Sequence, residues 1–299
     1  MKNLKTTLLA VLLLVAGWLS AQVRIPIWKD TNVKNADKVT LTPFLAENNE
    51  DGLSVIVCPG GSYCWLDKYN EGDSVARWLQ DNGISAFVLR YRTAGFGAYM
   101  LHYRYVLNGK QHPDMITDAQ RALQWVREHA EEYRIDPDKV GMMGFSAGGH
   151  LVMTAACFFN TNFLKDNGID TEVSLRPAFV APIYPVVTMA EKCTHKRSRR
   201  ALLGERRQND EKMRDSLSVE RHIPEDCPPV FLINCMDDPV VDFHNSILLD
   251  SALTAAKVNH RYVRYWTGGH GFGASEEKGT AECRAWKREF LKWVKNLKL

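Results

Sequence analysis

The sequence lacks the features that would place the protein in a membrane or on nucleic acid. After an apolar stretch that ends at Leu19, no later run approaches the roughly 20 residues that a membrane-spanning helix needs. The formal net charge is only +3 at pH 7, so we expect neither nucleic acid nor an anionic membrane surface as a partner. Internal repeats and low-complexity linkers are also missing. These absences favour one globular domain over residues 22–299.

Closely spaced sets of cysteine and histidine, the usual mark of a metal site, are absent as well. The seven cysteines are an odd number, and most are expected to be buried as small hydrophobic residues. Two disulfide pairings stay open, Cys58 with Cys64 and Cys193 with Cys227. No metal ion or cofactor is expected, and the sequence leaves the oligomeric state open.

The first 21 residues have the pattern of a secretory signal peptide. Lys2 and Lys5 form a basic start, Leu8 to Leu19 is an apolar core, and Leu19-Ser-Ala21 offers small residues for cleavage. This apolar core is short for a membrane-spanning helix, which favours a cleaved signal peptide. A retained membrane anchor is the alternative interpretation. We therefore expect removal of residues 1–21 and export to the periplasm or the medium, with no membrane contact of the mature protein.

Apolar, β-rich segments alternate with amphipathic segments along the mature chain. The predicted strands cover residues 53–58, 84–90, 139–143, 179–187, 230–235 and 261–266. The predicted helices cover residues 71–82, 114–133, 147–158, 245–256 and 281–297. Repeated strand-then-helix order indicates an α/β fold, with a mostly parallel sheet between two layers of helices as a three-layer sandwich.

The segment from Val140 to His150 places a serine in a G-x-S-x-G pattern between a predicted strand and a predicted helix. This strand–turn–helix arrangement, the nucleophile elbow, lifts a serine clear of the sheet, and its glycines avoid collisions with the neighbouring strand and helix. A hydroxyl is a poor nucleophile at neutral pH unless a base lies beside it. Ser146 is therefore the predicted nucleophile.

Among the nine histidines, His270 has the best setting for a catalytic base, in a glycine-rich loop directly after the last predicted strand. From there its imidazole can reach over the sheet edge toward Ser146. His150 lies one helical turn from Ser146 and is expected to pack under the elbow.

The acid should follow the penultimate strand, where Asp237 and Asp238 are adjacent. Either carboxylate could fix the imidazole tautomer, so both stay candidates on these grounds.

The negative charge that develops on an attacked carbonyl oxygen needs preorganised N–H donors. The amide of Ala147 is one candidate because it directly follows the nucleophile. The second donor is expected in the turn after an early strand, where glycines let amides point into the site. The candidates there are Gly60, Gly61 and Ser62, and the sequence does not choose among them.

Two insertions follow predicted strands and are expected at the carboxyl edge of the sheet, where ligands of α/β proteins bind. Residues 93–113 are rich in Gly, Tyr and His, and residues 191–229 are highly charged. The second insertion contains a basic cluster between Lys196 and Arg207. Acidic residues lie within and after the cluster, so a solvated surface is the favoured interpretation and an acidic polymer partner is the alternative. His195, beside the cluster, could line the substrate cleft, and a solvent-facing position is the favoured alternative.

Together these motifs resemble the α/β-hydrolase superfamily, and within it the bacterial acetyl-xylan-esterase-like enzymes related to the hormone-sensitive-lipase type. The resemblance spans nearly the whole mature chain and rests on segments 59–63, 88–92, 118–122, 144–151, 183–185, 237–240, 245–246 and 268–272. It implies a triad of Ser146, His270 and Asp238, the last because these esterases show Asp-x-x-Val at the corresponding turn. The chain departs from the family at Cys58-Pro59, where histidine is usual before the glycines.

The activity that the resemblance implies is hydrolysis of small acyl esters, often acetyl groups on plant polysaccharides such as xylan. Tyr63, Trp65 and Phe272 flank the motifs and are expected either to stack on a sugar ring or to pack in the core or rim. A prolyl-oligopeptidase-like peptidase shares this catalytic fold but normally carries a long extra N-terminal domain. An inactive binding protein on the same fold is a further alternative, although all three triad residues are present.

Overall fold

The structure, a computed structural model, describes residues 23–29, 31–100 and 110–299, and the predicted signal peptide lies outside these ranges. The strands of the described chain are β1 (Ile25–Pro26), β2 (Thr40–Phe44), β3 (Ser54–Cys58), β4 (Ser85–Arg90), β5 (Val140–Phe145), β6 (Val180–Ile183), β7 (Val230–Cys235) and β8 (His260–Tyr265). They form one sheet in the order β1-β2-β4-β3-β5-β6-β7-β8. Strands β3 to β8 run parallel, whereas β2 is antiparallel to β4 and β1 is antiparallel to β2.

The helices of the described chain connect these strands. They are α1 (Ser74–Asp81), α2 (Phe96–Met100), α3 (Asp114–Glu128), α4 (Ala147–Cys157), α5 (Lys196–Arg207), α6 (Glu211–Ser216), α7 (His244–Ala255), α8 (Ala281–Arg284) and α9 (Trp286–Lys295). None of the helices in the described ranges is long and apolar enough to cross a membrane.

Helices cover both faces of the sheet because consecutive residues of each strand point to opposite sides. In β7, Leu232 packs in a core with residues of α3, α4 and α7. Its neighbour Phe231 packs in a second core with residues of α1 and α9. All six residues of β7 are buried, as expected for a strand with a helix layer on each side. The predicted three-layer α/β-hydrolase architecture is confirmed.

The boundaries of several predicted elements differ from the structure for local reasons. The strand predicted to reach Val187 ends at Ile183, because Tyr184 takes a left-handed conformation with φ 37°. The helix predicted from Glu71 begins instead as a π-helical turn over Tyr69–Asp73. The final predicted helix is two helices, α8 and α9. The short strands β1 and β2 were not predicted.

A buried ion pair joins two of the segments that carried the family resemblance, residues 88–92 and 118–122. Arg92 Nη2 lies 2.8 Å from Asp118 Oδ1, and the side chains of both residues are almost fully buried. The same carboxylate accepts hydrogen bonds from the Arg92 amide at 2.8 Å and from Trp28 Nε1 at 2.8 Å. The pair ties the end of β4 to α3, so these residues serve the fold rather than the chemistry.

All seven cysteines lie in the described part of the chain, and all are free thiols. Neither disulfide left open by the sequence is formed. Six of the seven are buried, and Cys193 is half-buried. Burial raises the pKa of the Cys58 thiol far above its usual range, which fits a small hydrophobic residue of the core rather than a reactive group.

Candidate active site

Ser146 lies on a sharp turn between two regular elements. Strand β5 ends at Phe145 and helix α4 begins at Ala147, so the serine alone makes the turn. Its backbone has φ 53° and ψ −115°, a conformation that a non-glycine residue adopts only at a cost of about 1–3 kcal/mol. The Ser146 amide donates to the Ile183 carbonyl at 3.0 Å, which holds the turn against β6. The sheet therefore stores strain at one residue and presents its hydroxyl at the carboxyl edge.

The two glycines of the motif are required by close backbone approach. A Cβ at Gly144 would lie 2.0 Å from the Gly148 carbonyl oxygen, and a Cβ at Gly148 would lie 2.0 Å from the Cys58 carbonyl oxygen. Both separations are far inside van der Waals contact. Any side chain at either position would push the helix away from the strands and displace Ser146.

A chain of hydrogen bonds joins Ser146, His270 and Asp238. His270 Nε2 lies 2.9 Å from Ser146 Oγ, and His270 Nδ1 lies 2.6 Å from Asp238 Oδ2. The Asp238 side chain is 1% exposed and that of His270 is 12% exposed. With Nδ1–H donated to the carboxylate, Nε2 carries the lone pair that accepts the serine proton. The structure thus brings together the three residues predicted for the triad.

The neighbouring acid has a different set of partners. Asp237 accepts the amides of Gly269 at 2.8 Å and Gly268 at 3.2 Å, both in the loop that carries His270. The other oxygen of Asp238 accepts the amides of Val240 and Val241, which fixes the carboxylate. Asp238 therefore contacts the imidazole, and Asp237 supports the histidine loop.

The predicted oxyanion loop lies beside Ser146, but one candidate donor is already used. A Cβ at Gly60 would meet the Ser146 Cβ at 2.9 Å, so this loop and the serine are in contact. The amide of Gly60, one of the predicted donors, instead donates to Glu71 Oε2 at 2.8 Å and is not free for an oxyanion. In the described chain, the amides of Gly61, Ser62 and Ala147 have no hydrogen-bond acceptor. Those three remain available for an oxyanion.

Glu71 and Tyr184 form a buried link between the oxyanion loop and the histidine loop. Glu71 is 3% exposed, and its Oε1 accepts a hydrogen bond from the Tyr184 hydroxyl at 2.8 Å. The Tyr184 oxygen in turn accepts the Gly273 amide at 3.0 Å, and its ring lies 4.7 Å from that of His270. Burial raises the pKa of Glu71, and the positive field of His270 opposes that shift. The sequence analysis gave neither residue a role. Tyr184 lay in a segment that carried the family resemblance, Glu71 was only the first residue of a predicted helix, and the 113 positions between them hid their contact.

Of the three aromatic residues considered for sugar stacking or for the core, Tyr63 and Phe272 lie in the core. Tyr63 is fully buried and bonds to His150 Nδ1 at 2.7 Å, and Phe272 is 1% exposed and packs against Tyr184. Neither ring has a face free for a ligand, because each is enclosed by the core. Trp65 is 42% exposed and lines a cavity of about 620 Å³ next to the oxyanion loop. It is the one of the three that can still meet a substrate.

The histidines near the elbow divide into structural and peripheral groups. His150 packs under the elbow as expected, and its Nε2 lies 2.8 Å from the Leu217 carbonyl. Burial lowers its pKa to about 4, so it is neutral near pH 7. His195 is half-buried rather than solvent-facing, and bonds to Ser198 Oγ at 2.8 Å. Within the described ranges, no group of three or more histidine, cysteine, aspartate or glutamate residues could hold a metal ion.

Comparisons with known proteins identify the family of this chain and several relatives. The BD-FAE family model matches residues 44–253. The chain is 30% identical over 249 residues to the acetylxylan esterase of Xylanibacter ruminicola, and 32% identical over 225 residues to the endo-1,4-beta-xylanase B of Butyrivibrio fibrisolvens. These matches cover 81% and 75% of this chain but only 45% and 33% of those longer proteins.

One solved structure is similar over nearly its whole length. The acetyl ester-xyloside bifunctional hydrolase of Caldicellulosiruptor lactoaceticus superimposes with a TM-score of 0.79 at 31% identity. The match covers 92% of this chain and 96% of that one. A Lactobacillus plantarum protein, at 24% identity and a TM-score of 0.67 over 93% of this chain and 99% of that one, shares the fold. On the extent of the family match, this chain belongs to the BD-FAE family of α/β hydrolases.

Proposed function

We propose that this protein is a serine esterase that removes short acyl groups, chiefly acetyl, from a carbohydrate such as xylan. The observation that carries the proposal is the hydrogen-bonded chain from Ser146 Oγ through His270 to Asp238. The amides of Gly61, Ser62 and Ala147 have no acceptor in the described chain, and the loop of Gly60 and Gly61 contacts Ser146. The relatives named for acetylxylan esterase and acetyl ester-xyloside hydrolase support the same chemistry and the same substrate class.

Acylation follows from the geometry of the site. His270 Nε2 takes the hydroxyl proton while Ser146 Oγ bonds to the ester carbonyl carbon, and Asp238 stabilises the imidazolium that results. The carbonyl π electrons move to its oxygen, which accepts N–H donors from Ala147 and from Gly61 or Ser62. The alcohol leaves with its bonding electron pair and takes the proton from Nε2. An acyl-serine and neutral His270 remain.

Deacylation repeats these steps with water in place of the serine. His270 Nε2 takes a proton from water as the oxygen attacks the acyl carbon, and the same amides hold the second oxyanion. The bond from the acyl carbon to Ser146 Oγ breaks, and the serine recovers its proton from the imidazolium. The products are a carboxylic acid and the free enzyme, and this chain's residues supply every group that these steps use.

The exposed face of Trp65 suits a sugar ring, because pyranose C–H groups pack on aromatic surfaces that are still open to solvent. The predicted signal peptide supports a further part of the proposal, namely that the mature enzyme acts outside the cytoplasm on extracellular glycan. A substrate that cannot enter a cell would require such export.

The test is hydrolysis of p-nitrophenyl acetate, butyrate and octanoate, followed by acetate release from acetylated xylan, with Ser146→Ala as control. We expect the highest kcat/KM for acetate and loss of turnover in the variant. Full activity in Ser146→Ala would refute the assignment of the nucleophile. If no ester is hydrolysed but a prolyl peptide is cleaved, the peptidase alternative replaces the esterase proposal.

A further inference from the structure

A cleft of about 760 Å³ lies beside the loop that carries the triad acid. Its walls are the first turns of α5 together with Pro239 and Val240, which directly follow Asp238 in the chain. Nine residues line the cleft, and none of them is acidic. Four are cationic, namely Lys196, Arg197, Arg199 and Arg200. Four cations of the basic cluster seen in the sequence therefore lie on one wall of a concave surface, whereas Arg206 and Arg207 lie outside it.

Only part of this positive charge is balanced by the protein. Arg200 Nε lies 3.1 Å from Glu205, so this guanidinium is paired. Arg199 donates to the Met189 carbonyl at 3.2 Å, and its Nε is buried without an acceptor in the described chain. Lys196 is exposed and makes no ion pair with any residue that the structure describes. At least two cations of the cleft thus lack a carboxylate partner among the described residues.

The strand order decides which part of an ester would meet the cleft. The oxyanion loop follows β3, on one side of the serine strand β5, whereas the loops of Asp238 and His270 follow β7 and β8 on the other side. The alcohol must receive its proton from His270 Nε2, so it departs on the β7–β8 side. The cleft lies on that side because Pro239 and Val240 line it.

His195 is close to both the cleft and the triad. Its protonation state decides whether it adds to the positive charge of the cleft. It lines the cleft, and it is near enough to His270 and Asp238 for their charges to act on its imidazole. Burial, assisted by the positive fields of His270 and Arg197, lowers the pKa of His195 to about 4. At neutral pH the positive charge of the cleft therefore resides on lysine and arginine side chains.

We propose that this cleft is a subsite for a carboxylate on the alcohol part of the ester, that is, for an acetylated sugar chain that carries uronic acid. The inference rests on the proposed esterase function and names the class of alcohol that the site prefers. Guanidinium groups match the planar carboxylate with paired N–H donors, and several cations in one concave surface concentrate the attraction. A neutral sugar there would offer these side chains no counter-charge.

The experiment compares two matched esters, a monoacetylated methyl glucoside and the corresponding methyl glucuronoside, which differ by a carboxylate in place of a hydroxymethyl group. We expect the wild-type kcat/KM to favour the acidic ester about three- to tenfold at low salt. The preference should shrink toward one as salt screens the exposed charges. Equal kcat/KM values that do not respond to salt would overturn the subsite.

Variants locate the effect on the cleft. Lys196→Gln removes an exposed charge without disturbing packing, and we expect it to lower the acidic-to-neutral ratio about two- to fivefold. Arg199→Gln should lower the same ratio. Arg206→Gln removes an equal charge from the exposed end of the same helix, outside the cleft, and should leave the ratio unchanged. An equal fall in Arg206→Gln would assign the preference to the general field of the protein and contradict a subsite.

A binding measurement separates failure of the subsite from failure of the esterase proposal. If neither ester is hydrolysed, the esterase proposal is what fails. Calorimetric titration of the full chain with methyl glucuronoside and methyl glucoside then tests the cleft without turnover. Tighter binding of the glucuronoside, weakened by Lys196→Gln, would support the carboxylate subsite. Equal or absent binding of the two glycosides would overturn it.

Discussion

The Gly60 amide donates to the buried carboxylate of Glu71, and this 2.8 Å bond fixes the loop that faces the reactive serine. Through the Tyr184 hydroxyl, the same carboxylate is linked to the Gly273 amide in the histidine loop. The two loops that must hold an oxyanion and a base therefore share one anchor. Glu71 touches no reacting atom, so it acts as a positioning residue.

Replacing Glu71 with glutamine should lower kcat about tenfold while KM changes little. The amide can accept one of the two hydrogen bonds but must face the other donor with its own N–H groups, so the oxyanion loop shifts. Steady-state hydrolysis of p-nitrophenyl acetate measures the loss. Glu277→Gln, at an exposed position, is the matched control. A wild-type kcat in Glu71→Gln would show that Glu71 does not position the site.

The adjacent aspartates should respond very differently to the same change. Asp238→Asn should lower kcat about 10³- to 10⁴-fold, because the amide no longer fixes the imidazole tautomer or stabilises the imidazolium. Asp237→Asn should cost less than about tenfold, since an amide oxygen can still accept one of the two loop amides. Rates with p-nitrophenyl acetate distinguish the two. A larger loss at Asp237 would reverse the assignment.

The buried His150 should make the fold sensitive to mild acid. Its pKa is lowered by burial from 6.5 to about 4, so the unfolded chain binds a proton that the native state excludes. Stability from this residue is complete above pH 6.5 and is lost as the pH falls toward 4. Between pH 7 and pH 5 the loss is about 2 kcal/mol in the free energy of unfolding. Urea titrations of His150→Gln should show a correspondingly shallower pH dependence of the free energy of unfolding. A pH dependence equal to that of the wild type would contradict this origin.

Trp65 should matter for large substrates and not for small ones. Removing its exposed indole in Trp65→Ala should lower kcat/KM for acetylated xylo-oligosaccharides about three- to tenfold, the loss of one stacked ring. The same variant should hydrolyse p-nitrophenyl acetate at close to the wild-type rate, which serves as the internal control. Equal losses on both substrates would instead indicate that Trp65 supports the oxyanion loop.

Local patterns allowed the sequence to predict the elbow, Ser146 and His270, whereas the choice of Asp238 over Asp237 came from the family resemblance. Gly144 is required by backbone contact with Gly148 inside the strand–turn–helix unit, and Gly148 by contact with Cys58 at the end of β3. The two glycines nevertheless lie four residues apart, so their spacing is visible in a short window. His270 could be identified because it lies in a glycine-rich loop directly after a strand. The parallel order of the strands then brings Asp238 to the same edge of the sheet.

The sequence did not reveal what depends on packing between distant segments. Aromatic residues beside a motif gave no sign of which way their rings point, so the sequence could not decide between sugar stacking and the core for Tyr63 and Phe272. The link between Glu71 and Tyr184 joins positions far apart in the chain, and Glu71 looked like an ordinary first residue of a helix. The use of the Gly60 amide by that carboxylate was hidden for the same reason.

The central claim is that Ser146 becomes acylated during ester hydrolysis. The most direct test is intact-mass analysis after reaction with an organophosphate p-nitrophenyl ester, which traps an activated serine irreversibly. We predict one adduct per chain, located on Ser146 by peptide mapping, with activity lost in proportion to labelling and no adduct in Ser146→Ala. An adduct at another residue, or full esterase activity in the completely labelled protein, would contradict the account.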